Sequence, residues 1–297
     1  MISVIILHYK NAYLTQMCIR SILKSKNISS YEIIVYDNGS CDNSALLLKR
    51  WNASKSIVRI ISSTKNQGFA EGFNQASQYA KGLDILLLSN DVILDRFCLK
   101  ELLQTSSTYP HAIIQPKIYQ WNTKRIIDNV GGSYSFFGYG KGRGRDEIDN
   151  NQYDNQIILD YASATVCMFP TSLFKKLKGY DQWFVTHNED IDICLRAQKK
   201  NALSILAIKA LCYHMGSATY KKYAISNITL FHIRKNRIRL IVKHEKGIIR
   251  IIKIYPILLL MLSLESMYVC TRFRPSTLTY ETKSKKVTRK ILKKRRK

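Results

Sequence analysis

Between Asn66 and Asp91 the chain reads Asn66-Gln67-Gly68-Phe69-Ala70-Glu71-Gly72-Phe73-Asn74, then a helical stretch, then Leu86-Leu87-Leu88-Ser89-Asn90-Asp91. Glycines and asparagines stand where a loop turns into a helix, and a helix start offers free backbone N–H groups to an anion. Asp91 closes a buried apolar strand. That is the edge at which open α/β sheets bind ligands, and a carboxylate there can hold a hard divalent ion. Together the two features fit a metal-bound diphosphate. By itself the segment would equally suit a glycine-containing turn before a sheet strand, so its meaning depends on what else reaches the same edge.

Asp37 ends an earlier strand, Glu32-Ile33-Ile34-Val35-Tyr36-Asp37. It could accept hydrogen bonds from a ribose or a base, or could serve a turn through Asn38-Gly39-Ser40. Farther on, Thr186-His187-Asn188-Glu189-Asp190-Ile191-Asp192 crowds three carboxylates at a helix start, where the dipole favours negative charge. One cap suffices for a helix, and Asp192 could supply it. Two neighbouring carboxylates repel, which raises one pKa and makes a better general base. Cys212-Tyr213-His214-Met215-Gly216 adds a histidine that is either structural or a metal ligand. Trp183, Phe184 and His187, just before Glu189, are the expected acceptor-facing side chains.

These residues need a scaffold that brings strand ends together. Ile2–Leu7, Glu32–Asp37, Val58–Ile61 and Ile85–Leu88 have the length and apolar content of buried strands. Between them Tyr13–Lys24, Ser44–Trp51 and Phe69–Lys81 have helical spacing. Such alternation predicts a parallel sheet joined by right-handed crossovers. Beyond Asp91 the pattern loosens. Helices are expected at Phe97–Ser106, Thr171–Leu177 and Ile191–Lys200, a strand at Tyr161–Met168, and an irregular stretch at Gly131–Gly144.

The chain has 297 residues and a formal net charge of +26. Basic residues dominate from Lys221 onward, and Lys283–Lys297 holds ten Lys or Arg and no acid. This asymmetry suits contact with a polyanion, nucleic acid or an anionic leaflet. Ile254–Val269 is apolar but broken by Pro256 and Glu265, which fits a helix lying in a membrane interface better than a span. Cys18, Cys41, Cys98, Cys167, Cys194, Cys212 and Cys270 show no CxxC spacing. Free thiols in a reducing cytosol are therefore expected, with neither structural zinc nor a disulfide framework. The first residues lack a signal-peptide pattern, so a cytoplasmic chain, peripheral on the inner face of the plasma membrane, is expected.

Six motifs in order resemble a known family: Ser3–Asn11, Asp37–Ser40, Asn66–Asn74, Leu87–Asp91, Gly179-Tyr180-Asp181 and Glu189–Asp192. Over roughly residues 1–240 the chain resembles the family 2 glycosyltransferases of GT-A fold, in the rhamnosyltransferase-like branch of bacterial polysaccharide synthesis. The resemblance implies an α/β fold with a mostly parallel central sheet flanked by helices, here with a basic helical C-terminal extension. The implied division is a transferase domain at 1–240, a membrane-associating segment at 241–282 and a basic tail at 283–297. It implies an inverting enzyme that moves a sugar from a UDP- or dTDP-sugar to a saccharide hydroxyl, on a polyprenyl-linked acceptor.

The implied donor site comprises Tyr9, Asp37, Asn38, Asn66, Gly68, Phe69, Gly72, Asn74 and Asn90. Asp91 and His214 would hold Mg²⁺ or Mn²⁺, and Asp190, with Glu189 beside it, would be the catalytic base. The first acid of the family's DxD element is Ser89 here, which keeps a catalytically inactive scaffold in view. A polyanion-binding protein is the rival of another class. Nucleic acid is disfavoured, because the basic charge lies outside the α/β core and no stacking or recognition-helix motif is visible.

Overall fold

The computed structural model describes residues 1–52, 57–123, 125–215, 227–257 and 259. The basic tail and most of Ile254–Val269 lie outside the described residues. β1 (Ile2–His8), β2 (Tyr31–Asp37), β3 (Val58–Ser62) and β4 (Asp84–Ser89) alternate with α1 (Ala12–Leu23), α2 (Ser44–Asn52) and α3 (Gly68–Ser77). β1 runs parallel to β2 and β4, and β2 to β3, so four carboxyl ends share one edge. Asn11, in the left-handed region, caps α1 by accepting from the Leu14 amide. α3 stops at Ser77, short of the expected Lys81. Beyond it the Lys81 and Gly82 amides donate to Ser3 Oγ, which swings the chain into β4.

The second half contributes β5 (Val92–Leu94), α4 (Cys98–Thr108), β6 (Ile113–Gln120) and β7 (Ile127–Asn129). A small hairpin follows, β8 (Gly132–Tyr134) with β9 (Gly140–Gly142), then β10 (Ile158–Leu159), β11 (Val166–Pro170) and α5 (Thr171–Lys176). α6 (Glu189–Gln198), β12 (Ser204–His214) and α7 (Asn227–His244) complete the elements. The main sheet runs β10-β12-β6-β11-β4-β1-β2-β3, with β5 on β12 and β7 on β6. β11 is antiparallel to its neighbours β4 and β6, while β12 is parallel to β6. The expected strand at Tyr161–Met168 begins only at Val166; Tyr161 makes an isolated bridge to Gly132.

Strand alternation divides the core into two layers. Ile5, Ile34 and Leu87 pack with Phe73, Phe169, Tyr180 and α6 on one face of the sheet. Val4, Ile6, Val35, Leu86 and Leu88 pack against α1 and α4 on the other. The described cysteines are free thiols, all buried except Cys41. Met1–Glu245 forms one compact unit and Lys246–Lys297 a second. Among the described residues no helix is long and apolar enough to cross a membrane.

Candidate active site

Asp37, at the carboxyl end of β2, is buried and accepts from the Ser40 amide at 3.0 Å, closing the turn that starts the site. Gly39 makes that turn possible: its φ is +71°, and a Cβ would lie 2.2 Å from the Lys65 backbone. Next to it Asn38, also buried, accepts from the Gln67 amide and donates to Asn66 Oδ1 and the Gly68 carbonyl. One asparagine thus fixes the whole loop that leads into α3.

The expectation of free amides at the α3 start needs correction. The Gln67 amide is taken by Asn38, that of Gly68 by Asn66 Oδ1 at 2.9 Å, and that of Phe69 by the Val185 carbonyl at 2.9 Å. The loop is therefore locked to β2 and to the segment before α6. Two further donor-site expectations resolve into packing. A Cβ on Gly72 would sit 2.7 Å from Leu7 and 3.1 Å from Asn38, so this glycine permits close approach. Asn74 exchanges two 2.8 Å hydrogen bonds with the Tyr180 backbone and so pins the loop before the acidic helix. Asn90 donates to Thr15 Oγ1, and Tyr9 is exposed with Lys10 Nζ 5.2 Å from its ring centre.

Asp91 lies in the turn between β4 and β5, and its carbonyl accepts from the Met215 amide just after β12. That link brings His214 alongside: Nε2 is 3.2 Å from Asp91 Oδ2, and Nδ1 is 2.8 Å from Asp128 Oδ2. Burial would lower the imidazole pKa, but the bonds to Asp128 and Asp91 outweigh it and raise it to about 9. Asp128, in β7, is a partner that no motif in the sequence revealed. Among the described residues no group of three or more His, Cys, Asp or Glu side chains is disposed to hold a metal. A divalent ion there would displace the Nε2 proton and take one Asp91 oxygen and one His214 nitrogen, with Asp128 orienting the ring. A two-ligand set of this kind suits an ion that completes its shell with substrate phosphates and water.

A cavity of about 580 Å³ opens beside this edge, walled by Ser89, Ser163–Thr165, Gly140 and Gly142 of the hairpin, Tyr161, and Thr186–Ile191. Asp190 lies on its wall. Its Oδ1 accepts from the Ile191 amide at 2.9 Å and its Oδ2 from the Ala164 amide at 3.4 Å. Burial raises the Asp190 carboxyl to about 6, and these amides offset only part of that. Burial, and then the Asp190 charge, push Glu189 well above the usual carboxylate range. Both neighbouring carboxyls are thus pushed above their ordinary values, chiefly by burial. The third acid differs. Asp192 is fully buried, and though burial pushes it up, the His244 bond, Arg196 and Lys243 together hold it down at about 2. It ties α6 to α7 and is out of the cavity's reach.

The segment entering α6 is bent sharply: His187 and Asn188 both have positive φ, 67° and 69°. Such a conformation costs roughly 1–2 kcal/mol at His187 and less at Asn188, since asparagine enters this region readily, so neighbours must hold the bend. His187 lines the cavity. Trp183 is exposed, with Lys235 Nζ 4.1 Å and Arg239 4.9 Å from its ring centre. Phe184 is the correction here: its ring is wholly buried in the core layer, so it packs rather than faces an acceptor. The sequence also gave no sign of Gln115. Fully buried, it donates to Asn129 Oδ1 and accepts from the Ser163 amide, setting two cavity-lining residues.

A family model described as Glycosyl transferase family 2 matches residues 3–176, more than half of the chain. The chain belongs to glycosyl transferase family 2. It is 24% identical over 206 residues to the low-salt glycan biosynthesis hexosyltransferase Agl10 of Haloferax volcanii, covering 67% of this chain. It spans only 62% of the length of that curated relative. The mannosyltransferase PcManGT from Pyrobaculum calidifontis, in complex with GDP-Man and Mn²⁺, superposes with a TM-score of 0.59 at 14% identity. That match covers 82% of this chain and 63% of the other. GalNAc-T7 with UDP, GalNAc and Mn²⁺ gives 0.63 at 15% identity over 81% and 48%. At these identities the likeness shows the fold, which is that of the GT-A glycosyltransferases.

Proposed function

We propose that this family member is an inverting hexosyltransferase, moving a sugar from a UDP- or dTDP-sugar to a hydroxyl of a lipid-linked saccharide in surface polysaccharide synthesis. The observation that carries the reading is Asp190: a cavity-wall carboxylate with a raised pKa, oriented by two backbone amides, close to the strand end that bears Ser89. A base with a pKa nearer neutrality holds a proton better once it has taken it, while still being ionised at pH 7.

The acceptor hydroxyl gives its proton to Asp190 as its oxygen attacks the anomeric carbon. The bond from that carbon to the β-phosphate oxygen breaks, and the nucleoside diphosphate leaves with the electron pair. Attack from the opposite face inverts the centre and requires one carboxylate base, not the acid and nucleophile pair of a retaining glycosidase. Asp37, at the β2 end, and exposed Tyr9 are the donor-side residues for the nucleoside. Asn38 keeps the intervening loop in register through its three hydrogen bonds. Asp91 and His214 would hold Mg²⁺ or Mn²⁺, which when bound neutralises charge developing on a diphosphate. The Mn²⁺ named with the two solved relatives supports this assignment.

A membrane-facing role for the C-terminal part has its own support. Helix 247–257 exposes Ile248, Ile251, Ile252 and Tyr255, spaced along one side, with Lys246 and Arg250 nearby, while Lys253 is buried. An apolar stripe with basic flanks suits a helix lying in an anionic interface. The test of the transfer reading is incubation with UDP- and dTDP-hexoses and a lipid extract containing polyprenyl-linked saccharides, followed by mass spectrometry. Addition of one hexose by the wild type, absent with Asp190→Asn, is the expected result. Equal product from Asp190→Asn would remove Asp190 as the base.

A further inference from the structure

The buried side of α7 is made by positions 233, 236, 237, 240 and 241, the spacing of one helix face. Three are apolar, but Asn236 is a fully buried amide among them. Its Nδ2 donates at 2.7 Å to the Thr186 carbonyl and at 2.7 Å to the His187 carbonyl. These are the carbonyls just before and within the left-handed pair His187 and Asn188. Asn188 in turn starts α6: its carbonyl accepts from the Asp192 amide, while its own side chain makes no cap. A chain of contacts therefore runs from α7, through a strained two-residue bend, to the first turn of α6 that bears Asp190.

We propose that Asn236 is a positioning residue for the catalytic carboxylate, holding the His187–Asn188 bend so that Asp190 keeps its place against Ala164 on the cavity wall. The inference rests on the reading of Asp190 as the base. Only an amide serves at position 236. Both donated hydrogens are used on two carbonyls, while Asn236 Oδ1 is buried with no hydrogen-bond partner among the described residues. An aspartate there would set a carboxylate oxygen against both carbonyls, and an apolar residue would strand them. Were the bend released, His187 and Asn188 could relax to ordinary φ, turning the helix start and carrying Asp190 away from Ala164.

The far end of α7 is fastened independently. Lys243 and His244 each contact Asp192 Oδ1, at 2.7 and 2.8 Å, and Lys243 also reaches Asp181. Loss of the Asn236 amide should therefore leave the helix docked and the protein folded. The test compares full-length wild type with Asn236→Asp and Asn236→Ala. Hydrogen exchange on the protein alone should show the Asp192 amide exchanging at least about tenfold faster in both variants, with both still cooperatively folded at the assay temperature. Turnover of the nucleotide-hexose used by the wild type should lose about ten- to a hundredfold in kcat while the donor KM stays within about twofold. Unchanged exchange, an unchanged kcat, or a kcat loss matching the unfolded fraction would overturn the proposal. A wild type that turns over no nucleotide-hexose would instead sink the transferase reading, while exchange would still report whether Asn236 holds the bend.

Discussion

On the proposed reading Asp190 acts as a base only when ionised, and burial moves its ionisation up to about 6. Activity should therefore rise as pH climbs through that value, and the acidic limb of kcat/KM should lie well above the ordinary carboxylate range. A limb near 4 would mean that another group takes the proton. Replacing it with Asn keeps the shape and one of the two amide contacts, since a side-chain NH₂ cannot accept the other, and removes the basicity, with an expected loss of about 10²–10⁴ in kcat and nucleotide affinity unaltered. At this scale the sequence singled out Asp91, Asp190 and Glu189 as candidates, because carboxylates crowding a strand end or a helix start exceed what capping needs. Gly72 and Asn74 read as ligand-facing because they sit in a loop motif, and Phe184 because it precedes Glu189; neither position says which side of a loop points inward. Asp128 and Gln115 carry no local signal at all, since each matters only through a partner 86 or 48 residues away.

Two elements hold the site in shape, and each makes a measurable claim. The first is the α6 to α7 joint, where a fully buried Asp192 meets Arg196, Lys243 and His244. Its folded pKa, about 2, lies below the ordinary 3.8, so the stability it contributes is fully present above 3.8 and is lost as pH falls toward 2. Asp192→Ala strands several charged partners and should cost about 3–5 kcal/mol at pH 7, read by urea denaturation. The cost should shrink in acid; a difference that stays constant down to pH 2 would contradict the ionic account. The second is the loop fixed by Asn38. Asn38→Ala removes three hydrogen bonds from a buried position and should cost about 1–3 kcal/mol while weakening nucleotide binding. The first four strands and three helices were readable because their apolar alternation is unbroken. β12 was not foreseen as a strand: Lys209 interrupts its apolar run, and its pairing with β6 shifts register between Ala207 and Leu211. α7 read as merely basic and helical, and its role emerged only from the contacts of Asn236, Lys243 and His244.

For the whole molecule, the division after Glu245 separates a folded transferase unit from the basic, apolar-striped part. Cutting near residue 240 would remove Lys243 and His244 and so damage the α6 joint; a chain ending at Glu245 keeps it. Full-length protein should sediment with vesicles containing phosphatidylserine or phosphatidylglycerol, less so at high salt, and residues 1–245 should remain in the supernatant. Sedimentation of the shortened chain would place the membrane contact within the first unit instead. The central claim, a nucleotide-sugar site on the β2 and β4 edge, is tested most directly by calorimetric titration with UDP and with dTDP, each with and without Mn²⁺. The account requires that one nucleotide bind in the presence of Mn²⁺, that Asp91→Ala weaken this binding, and that Asp190→Asn leave it intact. No binding of either nucleotide under any of these conditions would contradict it.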